Sequence, residues 1–510
     1  MATAQATRLA HNEPIPLADV PHLAFGGFRD EVVESVRSGG RLVALFGRPV
    51  DGRIRLYAVL ALDDEGELAV LSADVPDRYP SLTPDCPSAH MFEREIAEQW
   101  GVVPEGHPWL KPVRFHASYR PGHDAWGRSS DTPILPGVQP AGTEFYRVEG
   151  QEVHEVAVGP VHAGVIEPGA FRFQCHGERV FHLEIALGFQ HRGIEKALWE
   201  GPNRKSLRLV EQIAGDTSVG HATAYCQAVE ALAGARPSLR AQAIRGIALE
   251  LERMANHTGD LGALANDVGY LPTASYCGRI RGDFLNSTAM ICGNRFGRGL
   301  VRPGGVGYDL DGELLDRMRK RVEPALVDVN GAAGLLWDSL SVQARFEGTG
   351  TVSRDDALAL GLVGPAGRSS GLDRDVRLDY PSGIYRFHYI PISVQATGDV
   401  FARAYVRYLE VRRSGQFVLE QASQLPEGPT NVEVGPLTPS SLVVSLVEGW
   451  RGEICHVAIT DDAGAFAHYK VIDPSFHNWI GLSLSLRDQG ISDFPLCNKS
   501  FNLSYCGHDL

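Results

Sequence analysis

The sequence predicts an α+β protein: a small N-terminal α/β domain, then a large domain whose central helix bundle is flanked by N- and C-terminal antiparallel β elements. Three observations lead to this fold class. Strand-length apolar runs and helical spacing alternate in the first part of the chain, long stretches of three- and four-residue apolar spacing fill its middle, and strand-like runs return near its end. The 510 residues are enough for about three folding units and for a core that needs no disulfides.

Residues 1–119 form the predicted small domain. Asp51-Gly52 and Asp64-Glu65-Gly66 are turn signals between strand-length apolar runs, which indicates hairpins. Helical spacing before and after these runs completes the α/β pattern. In chain order the predicted elements are a helix, three strands and a second helix, at 28–36, 42–46, 54–62, 68–72 and 88–100.

A connector rich in proline and glycine, residues 120–149, precedes the large domain, residues 150–510. The large domain opens with strands, continues with a long helical block and returns to strands. Its predicted strands lie at 156–158, 171–175, 180–185, 431–434, 441–447, 453–460 and 466–471. Its predicted helices lie at 206–233, 238–267, 275–293, 314–330, 400–424 and 478–486, and an irregular tail follows.

Composition and charge narrow the classes of function. Acidic residues outnumber basic residues by 62 to 48, for a net charge of −14. Such a surface repels phosphate backbones, so nucleic acid is not an expected partner. No stretch reaches the apolar length that a transmembrane helix needs, about 18 residues, and the N-terminus lacks the apolar core of a secretory signal. The sequence therefore predicts a cytoplasmic protein.

The 8 cysteines are scattered along the chain, and none forms a CxxC pair. Structural zinc and iron–sulfur sites usually show paired cysteine or histidine spacing. We therefore expect free, mostly buried thiols and no metal or cluster held by this chain alone.

The helix predicted at 238–267 carries two stripes. Ile244, Ile247, Leu251, Met254 and Leu261 form an apolar stripe, and beside it Glu250, Arg253, His257 and Asp260 recur at steps of three and four. The polar stripe is either a solvated helix face or a buried polar network in a bundle. Because alanine, glycine, threonine and leucine flank it where lysine and glutamate usually decorate a wet face, the pattern favours the buried network.

Two shorter segments also carry titratable side chains. His191, Arg192 and Glu195 surround Gly193 in a segment that, taken alone, is typical of a charged turn before a helix. His162 lies at the tip of the glycine loop 159–164. A lone loop histidine is usually inert, but it can donate protons near neutral pH when a carboxylate orients it.

Several motifs, taken in chain order, resemble one protein family. Residues 187–196, which contain HRGIEK, resemble the large subunit of membrane-bound energy-converting nickel–iron hydrogenases and, equally, the homologous quinone-site (49 kDa-type) subunit of respiratory complex I. Further matches are Gly159-Pro160-Val161-His162, Glu250-Leu251-Glu252-Arg253 with His257 and Asp267, Gly293-Asn294-Arg295-Phe296, Pro303-Gly304-Gly305-Val306, Gly364-Pro365 with Arg368, Gly398-Asp399-Val400 with Arg403, and Arg451-Gly452-Glu453. The N-terminal domain, with Glu93-Arg94-Glu95, Trp100-Gly101 and Gly106-His107-Pro108-Trp109-Leu110, resembles the 30 kDa-type subunit of complex I, fused here into one chain.

The resemblance implies a complex. It implies an iron–sulfur small subunit that delivers electrons, membrane ion-translocating subunits, and a peripheral position on the inner face of the cell membrane. It implies no cofactor within this chain. It also implies a structural and coupling network, whose residues are His191, Arg192, Glu195, Arg253, His257 and Asp260.

The sequence departs from the hydrogenases at their metal ligands. Four thiolates in two CxxC pairs hold the nickel–iron centre of this family. The first pair falls within 211–218, where the two positions hold Ala214 and Thr217. The second pair is expected near Asp493, where only Cys497 is present, and Cys506 follows nine residues later. We therefore predict that the nickel–iron centre is absent.

The sequence also departs from the quinone subunits, because Gln212 and Gly215 hold the places of the arginine and tyrosine that line the quinone headgroup. The family's pair of a loop histidine and a helix aspartate is kept as His162 and Asp267. We expect these side chains within about 4 Å of each other, or one water further. Pairing would raise the pKa of the imidazole.

Asp216, Thr217 and His221 are the remaining candidate site residues. They either line a polar, metal-free cavity in the old metal loop or merely cap the start of a helix. Together with His162 and Asp267 they make up the predicted catalytic set.

Two functions from different classes follow. The first is an oxidoreductase subunit, similar to NADH:quinone oxidoreductase or hydrogenase, whose metal-free cavity binds a quinone or another acceptor and couples its protonation to the membrane arm. The second is a non-catalytic scaffold that transmits conformational change between partners. A nickel–iron hydrogenase is a third alternative, and the missing thiolates disfavour it.

Overall fold

The computed structural model describes residues 6–127, 145–162 and 166–510. The middle of the predicted connector and part of the loop after His162 lie outside these ranges. The N-terminal elements are β1 (Thr7–Leu9), β2 (Ile15–Pro16), β3 (His22–Leu23), α1 (Phe25–Arg37), β4 (Arg41–Val50), β5 (Arg53–Leu62), β6 (Glu67–Val75), β7 (Arg78–Pro80), α2 (His90–Trp100) and β8 (Val103–Glu105).

The N-terminal domain is built around a sheet with the strand order β1-β6-β5-β4 and with β3 parallel to β6. The β4–β5 hairpin turns at Asp51 and Gly52, which both have positive φ, at 48° and 78°. Two consecutive positive-φ residues are typical of the turn that suits the twist of a two-residue hairpin. The predicted α/β domain is therefore present, with its elements close to their predicted positions.

The large domain begins with three antiparallel strands, β9 (Val153–Val158), β10 (Ala170–His176) and β11 (Arg179–Ala186), in the order β11-β10-β9. The helical block follows. It contains α3 (Ile194–Leu198), α4 (Ser206–Val210), α5 (Ser218–Ala233), α6 (Leu239–Asp267), α7 (Leu271–Cys292), β12 (Val301–Arg302), β13 (Gly305–Val306), α8 (Gly312–Trp337), α9 (Leu340–Phe346), α10 (Arg354–Ala359), α11 (Gly364–Arg368), α12 (Val376–Asp379) and α13 (Val400–Ser423).

The last part of the chain is a three-stranded antiparallel meander followed by short helices. These elements are β14 (Ser441–Gly449), β15 (Gly452–Thr460), β16 (Phe466–Ile472), α14 (Pro474–Ser485), α15 (Phe494–Phe501) and α16 (Tyr505–Asp509). The predicted fold class is thus confirmed: a central bundle lies between two antiparallel β elements.

Helix α6 is the central element of the bundle and packs against α7 and α13. The side chain of Ser238 accepts a hydrogen bond from the backbone N–H of Ala241 and so caps its first turn. All five residues of the predicted apolar stripe on α6 are fully buried. Hydrophobic periodicity therefore located the core of this helix correctly.

The two domains share one interface that is itself a core. Strand β2 pairs with β14, and apolar side chains of the N-terminal sheet pack with those of β14–β16. Buried ion pairs cross the same boundary: Arg41 binds Glu453 at 2.6 Å, and Lys470 binds Glu95 at 2.6 Å. The N-terminal domain is therefore docked rigidly rather than tethered.

Three predicted elements differ from the structure. The helix predicted at 206–233 breaks at 211–217, because Asp216 in this stretch turns to bind Arg451. Near Asn431 the described backbone has a single bridge, to Gly305, instead of a strand. The tail predicted as irregular contains two short helices, one started by Pro495 and one capped by Ser504. None of the described helices carries an apolar stretch long enough to cross a bilayer.

Candidate functional site

The loop between α4 and α5, residues 211–217, is closed by an ion pair. Both carboxylate oxygens of Asp216 accept hydrogen bonds from Arg451, at 2.6 and 2.8 Å. The indole N–H of Trp450 donates to the carbonyl oxygen of Asp216 at 3.0 Å and lies 3.1 Å from the hydroxyl oxygen of Thr217. Two residues in the turn of the β14–β15 hairpin therefore hold the loop.

Charge and burial fix this pair in its ionised form. Burial raises the pKa of Asp216, but the charge and hydrogen bonds of Arg451 outweigh burial and lower it below its ordinary value. The Arg451 guanidinium also lies over the Trp450 ring, 3.9 Å from the ring centroid, a favourable cation–π position. Asp216 and Thr217, two of the predicted site residues, are thus brought together.

The residues of this loop do not fit a nickel–iron centre. The methyl group of Ala214 offers no donor atom, and the Thr217 hydroxyl is engaged as described above. Cys497 and Cys506 are free and buried, and burial raises the pKa values of their thiols to about 11 and about 12. Metals bind the thiolate rather than the thiol. Within the described ranges no three His, Cys, Asp or Glu side chains are grouped so that they could hold a metal ion.

His221 belongs to a separate buried chain of hydrogen bonds. Its Nε2 lies 3.0 Å from a carboxylate oxygen of Asp473, and its Nδ1 lies 3.1 Å from Nε2 of His456. His456 in turn contacts the hydroxyl of Tyr469 at 2.9 Å. His221 therefore contacts Asp473 while Asp216 binds Arg451, and the alternative that Asp216, Thr217 and His221 line one cavity stays a prediction.

His162 and Asp267, the predicted dyad, have different neighbours. His162 Nε2 lies 3.4 Å from the hydroxyl oxygen of Tyr505, and its ring packs edge-on against Phe171. In the described part of the chain the dyad forms neither a hydrogen bond nor an ion pair within 4.0 Å. Both side chains lie within electrostatic reach of Lys499. Both therefore lie near one cation, and we call the surroundings of His162, Asp267, Lys499 and Tyr505 the His162 region.

The charges in the His162 region contradict the expected rise in the pKa of His162. Burial, and then the Lys499 ammonium, lower the pKa of His162. Burial raises the pKa of Asp267, and Lys499 only partly opposes the rise. The expected rise in the imidazole pKa is therefore wrong: the carboxylate is not paired with His162, and the charge that acts on the imidazole is that of Lys499.

Arg192 of the HRGIEK segment joins the metal-loop region to the tail. Its guanidinium donates to the carbonyl oxygens of Gln212, Ile213 and Cys506, at 3.0 Å for Ile213 and 2.8 Å for Cys506. A guanidinium suits this task because its five N–H donors point in fixed directions. Residues that lie far apart in sequence thus form one surface.

His191 and Glu195 of the same segment reach other elements. Nδ1 of His191 lies 2.8 Å from the carbonyl oxygen of Asp509, and its ring stacks on His116 of the N-terminal domain at 4.8 Å. Glu195 forms an ion pair with Lys470 at 2.9 Å. The segment therefore contacts both domains and the tail, and the coupling role of its residues stays a prediction.

The polar stripe of α6 is buried, so its interpretation as a solvated face is wrong. Arg253 binds Glu250 on its own helix at 3.0 Å and donates to the carbonyl oxygens of Glu448 and Gly449. His257 Nε2 lies 2.8 Å from Glu410, and the other ring nitrogen has no hydrogen-bond partner among the described residues.

Asp260, the last residue of the stripe, links it to the metal loop. It forms an ion pair with Arg407 at 2.8 Å and accepts a hydrogen bond from the Asn502 amide at 2.6 Å. The carbonyl oxygen of Asn502 in turn accepts from Nε of Arg451 at 2.6 Å. A continuous set of contacts therefore runs from the bundle core to Asp216.

Ion pairs within 4.0 Å join eight buried side chains, which we call the buried charge cluster: Glu250, Arg253, His257, Arg368, Asp375, Arg377, Glu410 and Glu448. Arg368 is its hub, since it contacts Glu410 and Glu448 at 2.7 Å each. Burial raises the pKa of Glu448 to about 7, and Arg368 only partly opposes this rise.

Sequence reasoning missed several site residues. Glu410 and Glu448 lie on elements far from α6 in sequence, and no spacing marks them. Arg368 and Arg451 are in the family motifs, but the motifs do not reveal their partners. Tyr505 has no sequence signal at all, although it supplies the hydroxyl next to His162.

Two family models match this chain, each over one part of it. The family model described as "Respiratory-chain NADH dehydrogenase, 49 Kd subunit" matches residues 267–441, and the model described as "Respiratory-chain NADH dehydrogenase, 30 Kd subunit" matches residues 39–125. The carbon monoxide-induced hydrogenase of Rhodospirillum rubrum is 31% identical over 352 residues, which cover 68% of this chain and 97% of that protein. The chain belongs to the family of complex I and hydrogenase-related subunits.

Other members of the family align over more of the chain. Formate hydrogenlyase subunit 5 of Escherichia coli is 28% identical over 498 residues, which cover 93% of this chain and 86% of that protein. The C/D-type NADH-quinone oxidoreductase subunit of Bacteroides thetaiotaomicron is 29% identical over 411 residues, covering 76% of this chain and 78% of that protein. The chain is therefore a subunit of an oxidoreductase complex, and membership of this family implies partner subunits.

Proposed function

We propose that this chain is the nickel-free large subunit of a complex attached to the inner face of the cell membrane. Its electrons come from an iron–sulfur cluster of a partner small subunit. Protons taken up during acceptor reduction are coupled to membrane ion-translocating subunits. The proposal joins the family membership to the chemistry of the residues at the two candidate sites.

The observation that carries the proposal is the closure of the 211–217 loop. Asp216 neutralises Arg451 at 2.6 and 2.8 Å, so neither the carboxylate nor the guanidinium needs a bound ion for charge balance. Ala214 and Thr217 stand where thiolates would be required, and neither is a soft ligand. These residues support a loop that is complete as a protein structure.

The His162 region is the proposed binding place of an acceptor with carbonyl oxygens, such as a quinone. The Tyr505 hydroxyl is a hydrogen-bond donor, because burial raises its pKa to about 12. His162 lies beside it, and the Lys499 ammonium is near. Reduction of a quinone to a quinol takes two electrons and two protons. In this proposal the electrons come from the partner and the protons pass through these side chains.

A scaffold without catalysis is the second candidate, and one observation favours it. The HRGIEK segment contacts the tail through His191 and the Asp509 carbonyl oxygen, and it contacts the N-terminal domain through the His191–His116 stack. Such contacts transmit displacement from one partner surface to another without any chemistry. Acceptor turnover in a His162 variant, described in the Discussion, separates the two candidates.

Metal analysis of the intact purified complex tests the nickel-free proposal. We expect far less than one nickel per chain after chelation, and neither evolution nor uptake of hydrogen. The iron content should match the clusters of the partner subunits. About one nickel per chain that survives chelation, or hydrogen activity that scales with it, would contradict the proposal.

A further inference from the structure

Two neighbouring cavities lie between the surface and the buried charge cluster, and Gln227 donates to the Ser382 hydroxyl at 2.9 Å where they adjoin. The outer cavity has a volume of about 620 Å³, and the exposed side chains of Glu13, Arg236 and Arg386 lie at its rim. The inner cavity has a volume of about 40 Å³. Both cavities are lined by Gln227, Gln242, Arg245, Ser382 and Gly383, so they meet at a polar neck.

The inner cavity ends at the cluster. Glu448, Arg377 and Tyr385 line it, and Thr223, Gln227 and Ser382 supply further polar groups. A buried water needs about 10–15 Å³ of such space and two to four polar partners. The inner cavity therefore has room and hydrogen-bonding groups for water between the neck and the carboxylate of Glu448.

The cluster itself does not balance in charge. Three guanidiniums, those of Arg253, Arg368 and Arg377, face four carboxylates, which belong to Glu250, Asp375, Glu410 and Glu448. With every group ionised and His257 neutral, the cluster carries a charge of −1 in the core of the bundle. An uncompensated buried charge is costly, and the usual remedy is the uptake of a proton.

Glu448 is the carboxylate of the cluster that the inner cavity reaches. One of its oxygens accepts from Arg368 at 2.7 Å and the other from the backbone N–H of Val376 at 3.1 Å. Arg368 on α11, Asp375 and Arg377 on α12, and Arg253 on α6 are the charged groups that act on it. Burial of the carboxylate also raises its pKa, which agrees with the charge count.

We infer that the buried charge cluster binds one proton per chain at Glu448 and exchanges it with solvent through the neck formed by Gln227, Gln242 and Ser382. The proton comes from bulk water and joins the carboxylate, and no other bond changes. The backbone of Glu448 and Gly449 is held by Arg253, directly before Trp450 and Arg451, which bind the 211–217 loop. The inference goes beyond the proposed function, and it holds whichever acceptor the complex uses.

Infrared difference spectroscopy of the intact complex, without turnover, tests the inference. We expect a carboxylic acid C=O band in the parent complex that Glu448→Gln removes and that grows as the pH falls through neutrality. Glu410→Gln removes one negative charge from the cluster, so in that variant the same band should be lost at pH 7. A parent spectrum without this band between pH 5 and 9, or a band that persists at pH 7 in Glu410→Gln, would overturn the inference.

The route is tested by filling the neck. Ser382→Leu should slow deuteration of the Glu448 band in D₂O by tenfold or more, whereas the smaller Ser382→Ala should keep the parent rate. An unchanged rate in Ser382→Leu would overturn the proposed route. If Glu448→Gln fails to assemble, the Glu410→Gln and Ser382 variants still decide the question, and neither needs an identified electron acceptor.

Discussion

The buried charge cluster around α6 and the His162 region are two polar regions of one domain, and they are built in opposite ways. In the cluster, carboxylates and guanidiniums pair at distances of 2.6–3.8 Å inside a packed bundle. In the His162 region, His162 is half-buried, its hydroxyl partner lies 3.4 Å away, and Asp267 is exposed near Lys499 and forms no hydrogen bond to His162.

The difference separates two uses of charge. Groups that bind one another tightly are already satisfied, so they fix geometry and respond mainly through a change in proton count. Groups with long or missing contacts are free to bind something else. We therefore propose that the His162 region serves the chemistry of an acceptor and that the cluster serves stability and proton binding. Each proposal can be tested by substitution.

The largest expected effect is the loss of Glu410, which accepts from both His257 and Arg368. Glu410→Ala removes the carboxylate that pairs with Arg368 and His257, and breaking a buried ion pair in this way typically lowers the free energy of unfolding by about 3–5 kcal/mol. Urea unfolding of the full chain within its complex measures the loss.

Glu420→Ala is a matched control for this variant, because Glu420 is exposed on the same helix α13. Its cost should stay within about 0.5 kcal/mol. If the two variants unfolded at the same urea concentration, the cluster would not stabilise the bundle. The contrast between a stabilising cluster and the loosely contacted His162 region would then fail.

The next effect concerns turnover rather than stability. His162→Gln should leave assembly of the complex intact and lower acceptor reduction by roughly 10²–10⁴-fold, the usual range for the loss of general acid–base catalysis. Asp267→Asn should act in the same direction but more weakly, because Asp267 does not contact the imidazole. Steady-state assays of the assembled complex with a soluble quinone analogue measure both.

His154→Gln provides the comparison for His162, since His154 is an exposed histidine on the neighbouring strand β9. It should keep the parent rate. Full electron transfer by an assembled His162→Gln complex would argue for the scaffold candidate and against a role of the His162 region in proton transfer.

The two regions also differ in how far they could be predicted from the sequence. Steps of three and four along α6 predicted the stripe of Glu250, Arg253, His257 and Asp260, because neighbours on a helix face follow from local geometry. The partner of His257, Glu410, is 153 residues away, and Tyr505 is 343 residues from His162. Contacts across such distances depend on the packing of whole elements, which no local pattern encodes.

The errors of secondary-structure prediction have the same origin. Apolar spacing continues through 206–233, but the helix breaks at 211–217, where Asp216 binds Arg451 on a distant hairpin. The tail forms short helices where tertiary contacts and caps support them. The fold class was nevertheless predictable, because long periodic segments such as α6 and α13 determine it.

The smallest expected effect is a pH dependence of the unfolding free energy, and it separates the proton of Glu448 on β14 from a second proton on Glu252 of α6. Glu252 accepts the backbone N–H groups of Val219 and Gly220 at the start of α5, at 2.7 and 3.1 Å. Burial raises the pKa of Glu252 from 4.5 to about 8, and these hydrogen bonds only partly oppose the rise. Between these two values the folded chain holds a proton that the unfolded chain releases.

The stabilising contribution of neutral Glu252 is therefore complete below about pH 4.5 and is lost as the pH rises to about 8. The slope should not exceed about 1.4 kcal/mol of unfolding free energy per pH unit, the limit for one proton. Glu252→Gln keeps a neutral side chain of the same size and should remove this slope, while the slope from Glu448, confined to pH values below about 7, remains. Urea unfolding at several pH values measures both. An unchanged slope in Glu252→Gln would show that Glu252 does not hold its proton in the folded chain, and would leave Glu448 as the group to examine.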